Sequence, residues 1–549
     1  MLDLRIVNGL VVDGTGSPAL RADVGIRDGR IVSVGTVDEP ARETFDAAGA
    51  IVAPGFVDVH THYDGQASWD GDMLPSSVHG VTTAVMGNCG VGFAPCRPRD
   101  HERLIRLFEG VEDIPGTALA EGIRWNWETF DEYLTALEET PRTMDVAAYL
   151  THDAVRVYAM GDRAVADTPA TEEDIAQMAE IVRGAMRAGA VGESGRGILQ
   201  AVSDFDMEVG DEHFEREFDV LERFAEASGG RPLSISLMQR DKNPTQWQDI
   251  LRRSEAAVAK GIDIRMQVAP RGIGVLLGLE ATFHPFIGFP SYKAVAHLSL
   301  AERVAHLRTP EVKARILGET SDKVAGDGSA IPPLADRLLG MIEMVSARMF
   351  PLGRRPDYEP KLGDSIRAQA MARGIPPLEA LYDALLEDDG RALLYFPIFN
   401  YAGMNLDAVG TMLHHPLAIP ALADGGAHCG TICDASMPTF FLMHWVRDRA
   451  EARFTLERAV ELLTRVPAEF AGFTDRGRIA PGLRADLTIF DLEKLELEAP
   501  RLVQDLPAGG QRFLQDAHGY LATFVHGVQV AKNGRLTDAR PGRVVRLGR

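Results

Sequence analysis

The sequence predicts an α/β protein, a (β/α)8 TIM-like barrel inserted into a small β-sandwich formed by the N- and C-terminal segments. Three observations predict it. Residues 1–50 and the last 75 residues share one texture of short alternating strands broken by glycine turns. Between them, apolar runs closed by polar residues alternate with amphipathic stretches, the pattern of a parallel sheet with crossover helices. Eight such runs occur, and a chain of 549 residues easily holds a barrel of ~250 or more.

Taken in order, LRIVNGLVVDGTG and ADVGIRDGRIVSVG alternate apolar and polar positions around Asn8-Gly9, Asp13-Gly14 and Asp28-Gly29. Those dipeptides favour tight turns because glycine tolerates positive φ. RADLTIFDLEKL and ATFVHGVQVAKNGRLT repeat the texture near the C-terminus. Each end is too small for its own core, so the two are expected to pair. The eight internal runs are residues 56–62, 81–90, 145–153, 190–194, 233–239, 263–271, 392–400 and 419–428. Helical patterns separate several of them, and one opens with Thr171 and Asp174 at capping-box spacing. The expected division is 1–53 with 475–549 for the sandwich and 54–474 for the barrel. A helical excursion over about 272–390 interrupts the latter as a lid.

Composition sets the class. Hydrophobic residues make up 45% and charged residues 25%, ordinary for a folded domain, which excludes disorder. A net charge of −22 repels phosphate backbones and anionic lipid, so neither nucleic acid nor membrane is an expected partner. The most apolar stretch, Gly272 to Phe289, is interrupted by Glu280, His284 and Pro285 and is no membrane span. The N-terminus has no cleavable leader pattern and reads as a strand. Four cysteines cannot build a disulfide framework, which points to the cytoplasm. A small molecule is the expected partner, and a homo-oligomer is compatible with the chain.

Barrel chemistry lies at the C-terminal ends of the strands. Here these carry His60, His62, Cys89, His152, Glu193, Gln239, Gln267, Asn400 and Asp424, a set rich in metal-ligand and acid–base types. His60 and His62, two apart on one strand, point to the same face and can converge on one cation. Their setting, A-P-G-F-V-D-V-H-T-H, resembles the amidohydrolase superfamily, in which this motif closes the first barrel strand and binds metal. G-V-T-T-A-V-M-G-N-C-G resembles the N-acyl-D-amino-acid deacylase (D-aminoacylase) branch. L-A-D-G-G-A-H at 422–428, D-R-G-R-I-A-P-G-L-R-A-D-L at 475–487 and D-L-P-A-G-G at 505–510 extend that likeness over the whole chain.

The resemblance implies a fold, a cofactor and a reaction. His60, His62, Cys89 and Asp424 are the implied metal ligands, Zn²⁺ the implied ion, and Asp424 and His152 the implied catalytic residues. Cys89 would replace the carboxylated lysine of other branches, and no lysine closes any of the eight runs. One departure stands out. Where the branch places histidines on the fifth and sixth strands, this chain has Gln239 and Gln267, and an amide is a poor zinc ligand. One ion is therefore expected, with the second position lost or weak. Four protein ligands would close that ion to water, so Asp424 or Cys89 must sit loosely, or the shell must expand.

The remaining candidates face substrate. Glu193 is open to a metal role, pairing with Arg196, a substrate contact or a solvated turn. Arg156, Arg196 and Arg271 suit a substrate carboxylate, which guanidinium binds in a fork, although each also fits a structural role. His152 either polarises the scissile carbonyl or braces the structure, and His428 lines the pocket or braces Asp424. Gln239 and Gln267 complete the substrate-facing set. The expected reaction is cleavage of the amide bond of an N-acyl amino acid, D in configuration, by metal-bound hydroxide. A cyclic amide, imide or lactone on the same site, or an inactive binding relative, are the alternatives.

Overall fold

The computed structural model describes residues 1–166, 168–191, 197–203, 211–324, 336 and 340–547. Both ends of the chain enter one mixed nine-stranded sheet. Its N-terminal members are β1 (Leu2–Val11), β2 (Leu20–Arg27), β3 (Arg30–Gly35), β4 (Ala41–Asp46) and β5 (Ile51–Pro54). β5 joins the halves, running parallel to β1 and antiparallel to Leu487–Phe490, with Val52 opposite Ile489. The strands Tyr520–Val525, Val528–Lys532 and Arg535–Leu536 continue the sheet outward. Alternation puts Leu4, Ile6, Val24, Ile26, Val52, Leu487 and Phe524 into a shared apolar core.

The chain passes directly from β5 into β6 (Phe56–Thr61), which pairs in parallel with β7 (Val81–Met86), and β7 with β8 (Asp145–Ala148). All residues of these three strands are buried, which is why they read as continuous apolar runs. Gly55 is required at the junction, since a Cβ there would lie 2.1 Å from the Thr82 hydroxyl oxygen. A second parallel sheet holds β9 (Leu199–Ala201), β10 (Leu233–Ser236), β11 (Ile264–Val268) and β15 (Ala418–Pro420). β9 is a strand that sequence reasoning did not anticipate. The two sheets meet where Thr61 bridges Gly425 in parallel and the His62 amide donates to the Gly425 carbonyl at 2.8 Å. The capping box of the helix Glu172–Ala188 forms as its spacing predicts, the Thr171 amide donating to Asp174 Oδ2 at 2.8 Å.

One expected barrel strand is corrected. Residues 394–399 do form a strand, but it pairs antiparallel with Ile273–Leu277 and with Phe350–Pro351, reaching the parallel sheets through an antiparallel bridge from Phe399 to Arg240, just beyond β10. An apolar run has the same appearance in either orientation, so periodicity alone could not place it. Leu277 and Leu394 face each other in that pairing. The chain between them builds its own apolar core, including Phe283, Phe286, Tyr292, Leu307, Leu381 and Leu385. These described residues fall within the stretch 272–390 in which a helical excursion is expected. Among the described residues no helix is long and apolar enough to cross a membrane.

The joint between the end sheet and the rest is ionic. Asp145 of β8 is fully buried and accepts from Arg476 Nη1 at 2.8 Å, while Arg484 Nη2 lies 2.6 Å from the same oxygen. The Arg543 amide donates to its other oxygen at 2.9 Å. Arg476 also donates to Thr83 of β7 at 2.9 Å, so two guanidinium groups from the C-terminal segment hold two central strands.

Candidate metal centre

His60 lies near the end of β6 and His62 just beyond it, both almost wholly buried. As their spacing predicts, the rings share one side, 5.4 Å apart between centroids. Cys89 follows β7 in a tight turn with φ of 54°, which its backbone amide stabilises by donating to Gln200 Oε1 at 3.1 Å. Its Sγ lies 3.5 Å from His60 Nε2. Asp424 follows β15 with φ of 48°, and its Oδ1 lies 3.3 Å from His60 Nε2 and 3.7 Å from His62 Nε2. Non-glycine residues seldom adopt such dihedrals, and at a site of this kind the surrounding structure must hold them. The two glycines after Asp424 permit that approach, since a Cβ on Gly425 would meet Ser76 Oγ at 2.5 Å and one on Gly426 the His62 carbonyl oxygen at 2.9 Å.

Each ring has an oxygen behind it. Gln267 Nε2 donates to Ser234 Oγ at 2.7 Å, which turns its Oε1 to accept from His60 Nδ1 at 2.5 Å. His60 Nε2 is thereby left as a lone pair facing Cys89 and Asp424. Burial pushes the ring's pKa down to about 4, keeping it neutral. Behind His62 stands Glu112, with Oε1 3.2 Å from Nδ1. Burial disfavours charge on His62, but Glu112 and its contacts with Asp424 and Cys89 outweigh this and raise its pKa. Burial also works against charge on Asp424, yet the neighbouring His62 and His60 imidazoles hold its carboxyl below the usual range. Burial pushes the Cys89 thiol up to about 11.

The donor set fits a divalent cation. His60, His62 and Cys89 each offer a ligand atom, all within 4.8 Å of one another. His62 Nδ1, Asp424 Oδ1 and both Glu112 oxygens are buried without a hydrogen-bond partner. Two imidazoles, a thiol and a carboxylate suit Zn²⁺, which when bound would favour the thiolate form of Cys89.

The other expected site residues are dispersed. Gln267 serves as the backing group for His60. Gln239 accepts from the Ala402 amide at 3.0 Å and donates to the Pro244 carbonyl at 3.3 Å, bracing a loop. Arg271 is buried, donates to Asp434 at 2.9 Å and to the Cys433 carbonyl at 2.6 Å, and lies 3.7 Å from the Tyr358 ring centre. Its Nη2 makes both hydrogen bonds, while Nε and Nη1 are buried without a hydrogen-bond partner. Arg156 donates to the Thr168 carbonyl at 2.7 Å. The structure does not bring His152 to the cluster. β8 stops at Ala148, a helix begins at His152, and its ring is 71% exposed beside Asp153. His428 lies near the cluster, with Nε2 3.8 Å from Glu112 Oε2. Glu193 and Arg196 lie outside the described residues.

Sequence reasoning missed Glu112. The signal was present: the helix His101–Glu112, here α1, buries Leu104, Ile105 and Phe108, and Glu112 follows on the same face four residues after Phe108. A carboxylate in line with an apolar stripe is seldom idle. Gln267 offers a first test of this arrangement. Replacement by leucine removes the acceptor behind His60 and is expected to weaken zinc binding roughly 10–100-fold, read by chelator competition.

Comparison with known proteins is consistent over the full length. The model of the amidohydrolase family matches residues 43–531. An uncharacterised protein of Mycobacterium tuberculosis is 28% identical over 100% of this chain and 96% of its own. The D-aminoacylase of Alcaligenes xylosoxydans xylosoxydans is 27% identical over 99% of this chain and 97% of its own. Among solved structures, the N-acyl-D-glutamate deacylase of Bordetella bronchiseptica, crystallised with zinc and a phosphonate inhibitor, shares the fold with a TM-score of 0.64. It is 23% identical and covers 99% of each chain.

Proposed function

The chain belongs to the amidohydrolase family and is a hydrolase of carbon–nitrogen bonds other than peptide bonds, and from that premise we propose that it deacylates N-acyl-D-amino acids. The observation that carries the reading is the convergence of His60, His62, Cys89 and Asp424 at one point. The related D-aminoacylase and N-acyl-D-aspartate deacylase of Alcaligenes xylosoxydans xylosoxydans supply the substrate class. The reading takes the two parallel sheets as arcs of one (β/α)8 barrel formed by 54–474, with 1–53 and 475–549 as the sandwich. The Thr61–Gly425 bridge supports it at one join, and the Val191 amide donating to the Ala148 carbonyl at 2.8 Å supports it at another.

His60, His62 and Cys89 would hold one cation, zinc by the nature of the donors, with Asp424 at its side. When bound, such a cation supplies Lewis acidity toward an amide carbonyl and lowers the pKa of water. Asp424 does the proton work. Its carboxylate is ionised at neutral pH, so Oδ1 can accept the proton of an attacking water and return it to the leaving nitrogen. His60, held neutral by burial against the opposing pull of Gln267 and Asp424, offers no competing proton. His428, 24% exposed, lies with Nε2 3.8 Å from Glu112 Oε2.

Asp424→Asn is expected to lower turnover by about 10²–10⁴-fold while bound metal remains, since the amide keeps an oxygen but cannot take the proton. Steady-state rates with elemental analysis of the same samples check this, and undiminished turnover removes the proposed base. A panel of N-acyl-D-amino acids, their L enantiomers and cyclic amides tests the substrate. Hydrolysis confined to the cyclic amides would replace the deacylase reading.

A further inference from the structure

We propose that Glu112 is a positioning residue of the metal centre, its carboxylate fixing the ring of His62 through Nδ1 and holding His428 beside it. The inference rests on the reading that His60, His62 and Cys89 hold the cation, and extends it to a residue outside the ligand set. Glu112 ends α1, a helix whose other buried residues, Leu104, Ile105 and Phe108, are apolar. An ionised carboxylate in such a place costs several kcal/mol unless a partner offsets it. No arginine or lysine is paired with it among the described residues. What face it are two imidazoles, His62 Nδ1 at 3.2 Å and His428 Nε2 at 3.8 Å.

The arrangement behind His60 shows what such a group does. There the Gln267 oxygen takes the Nδ1 side and leaves Nε2 turned to Cys89 and Asp424. Glu112 occupies the corresponding place behind His62, whose Nε2 turns to Asp424. One ring is thus backed by a neutral amide and the other by a carboxylate. An oxygen at the far nitrogen fixes ring orientation and tautomer and raises the basicity of the coordinating nitrogen, more so when it is charged.

The backbone of the same residue makes a second connection. The Glu112 carbonyl accepts from the His428 amide at 2.5 Å, and the Asp113 carbonyl accepts from Cys429 at 3.2 Å. Asp113 Oδ2 accepts from the Gly430 amide at 3.3 Å and from Thr431 Oγ1 at 2.8 Å. The end of α1 therefore fastens the loop that follows Asp424, and Glu112 stands between the first strand's histidine and the last strand's aspartate. A residue needed only for packing would serve as well, or better, with an apolar side chain of the same length.

That contrast supplies the test. Wild-type, E112M and E112Q proteins are stripped of metal, titrated with Zn²⁺ against a chromophoric chelator, and unfolded in urea without metal. E112M is expected to bind zinc roughly 10–100-fold more weakly, with a denaturation midpoint equal to or above wild type. E112Q, which keeps an oxygen toward Nδ1, is expected to recover most of the affinity. Wild-type binding by E112M, or a fall in its midpoint together with its affinity, overturns the proposal. Absence of zinc binding by wild-type protein overturns the metal centre itself, and this inference with it.

Discussion

Alanine at both His60 and His62 is expected to abolish retention of metal and to reduce amide hydrolysis by ~10³-fold or more. The two rings supply two of the three ligand atoms that cluster within 4.8 Å. Cys89 with a neighbouring carboxylate is a poor holder for zinc, which is almost always bound by four ligands. A Lewis acid at the reacting carbonyl contributes several kcal/mol, and each ~1.4 kcal/mol is tenfold in rate. Both rings are buried, so the double variant also creates a cavity, and the single variants H60A and H62A serve as controls of milder structural effect. Elemental analysis after dialysis and initial rates on N-acyl-D-amino acids are the measurements. Stoichiometric zinc with undiminished turnover in the double variant would refute the metal centre.

The second large effect is on stability. Asp145→Asn is expected to cost about 3–5 kcal/mol, because two buried guanidinium groups lose the charge they converge on. The asparagine can still accept from the Arg543 amide, so the loss isolates the charge. Burial alone would raise the Asp145 pKa, but His526, Arg476 and Arg484 outweigh it and hold the carboxyl well below the usual range. The sign follows directly. This stabilisation is present above the unfolded carboxyl's pKa of about 3.9 and is lost as pH falls through the lower folded value. Urea unfolding at pH 7 should show a reduced midpoint for D145N. The C-terminal segment, tied through Arg476 and Arg484, should become protease-sensitive before β6 to β8 do. An unchanged midpoint would show that the ionic joint adds nothing net.

What was legible in the sequence depended on distance along the chain. His60 and His62 are two residues apart on one strand, and strand geometry alone sets them on one side. Cys89 and Asp424 were legible through motif resemblance, and the structure brings both to His60. Glu112 escaped because its role depends on how residues 90–115 fold back over the strand ends, which no local period encodes. The pairing of Arg271 was hidden for the same reason, since its partner Asp434 is 163 residues away. His152 was misplaced by a boundary: the strand ends at Ala148 and the chain turns into a helix at exposed His152. Gln267 was legible as a strand-end amide, and the structure sets its oxygen against His60 Nδ1.

The antiparallel pairing of Leu277 with Leu394 has a consequence for how this protein can change. The two ends of the stretch 278–393 lie side by side, and many of its described residues share one apolar centre. Such a module can be shortened, lengthened or exchanged at a single hairpin-like seam with little strain on the strands bearing His60, Cys89 and Asp424. Evolution, or a protein engineer, can therefore remodel this module while leaving the cluster's own strands in place.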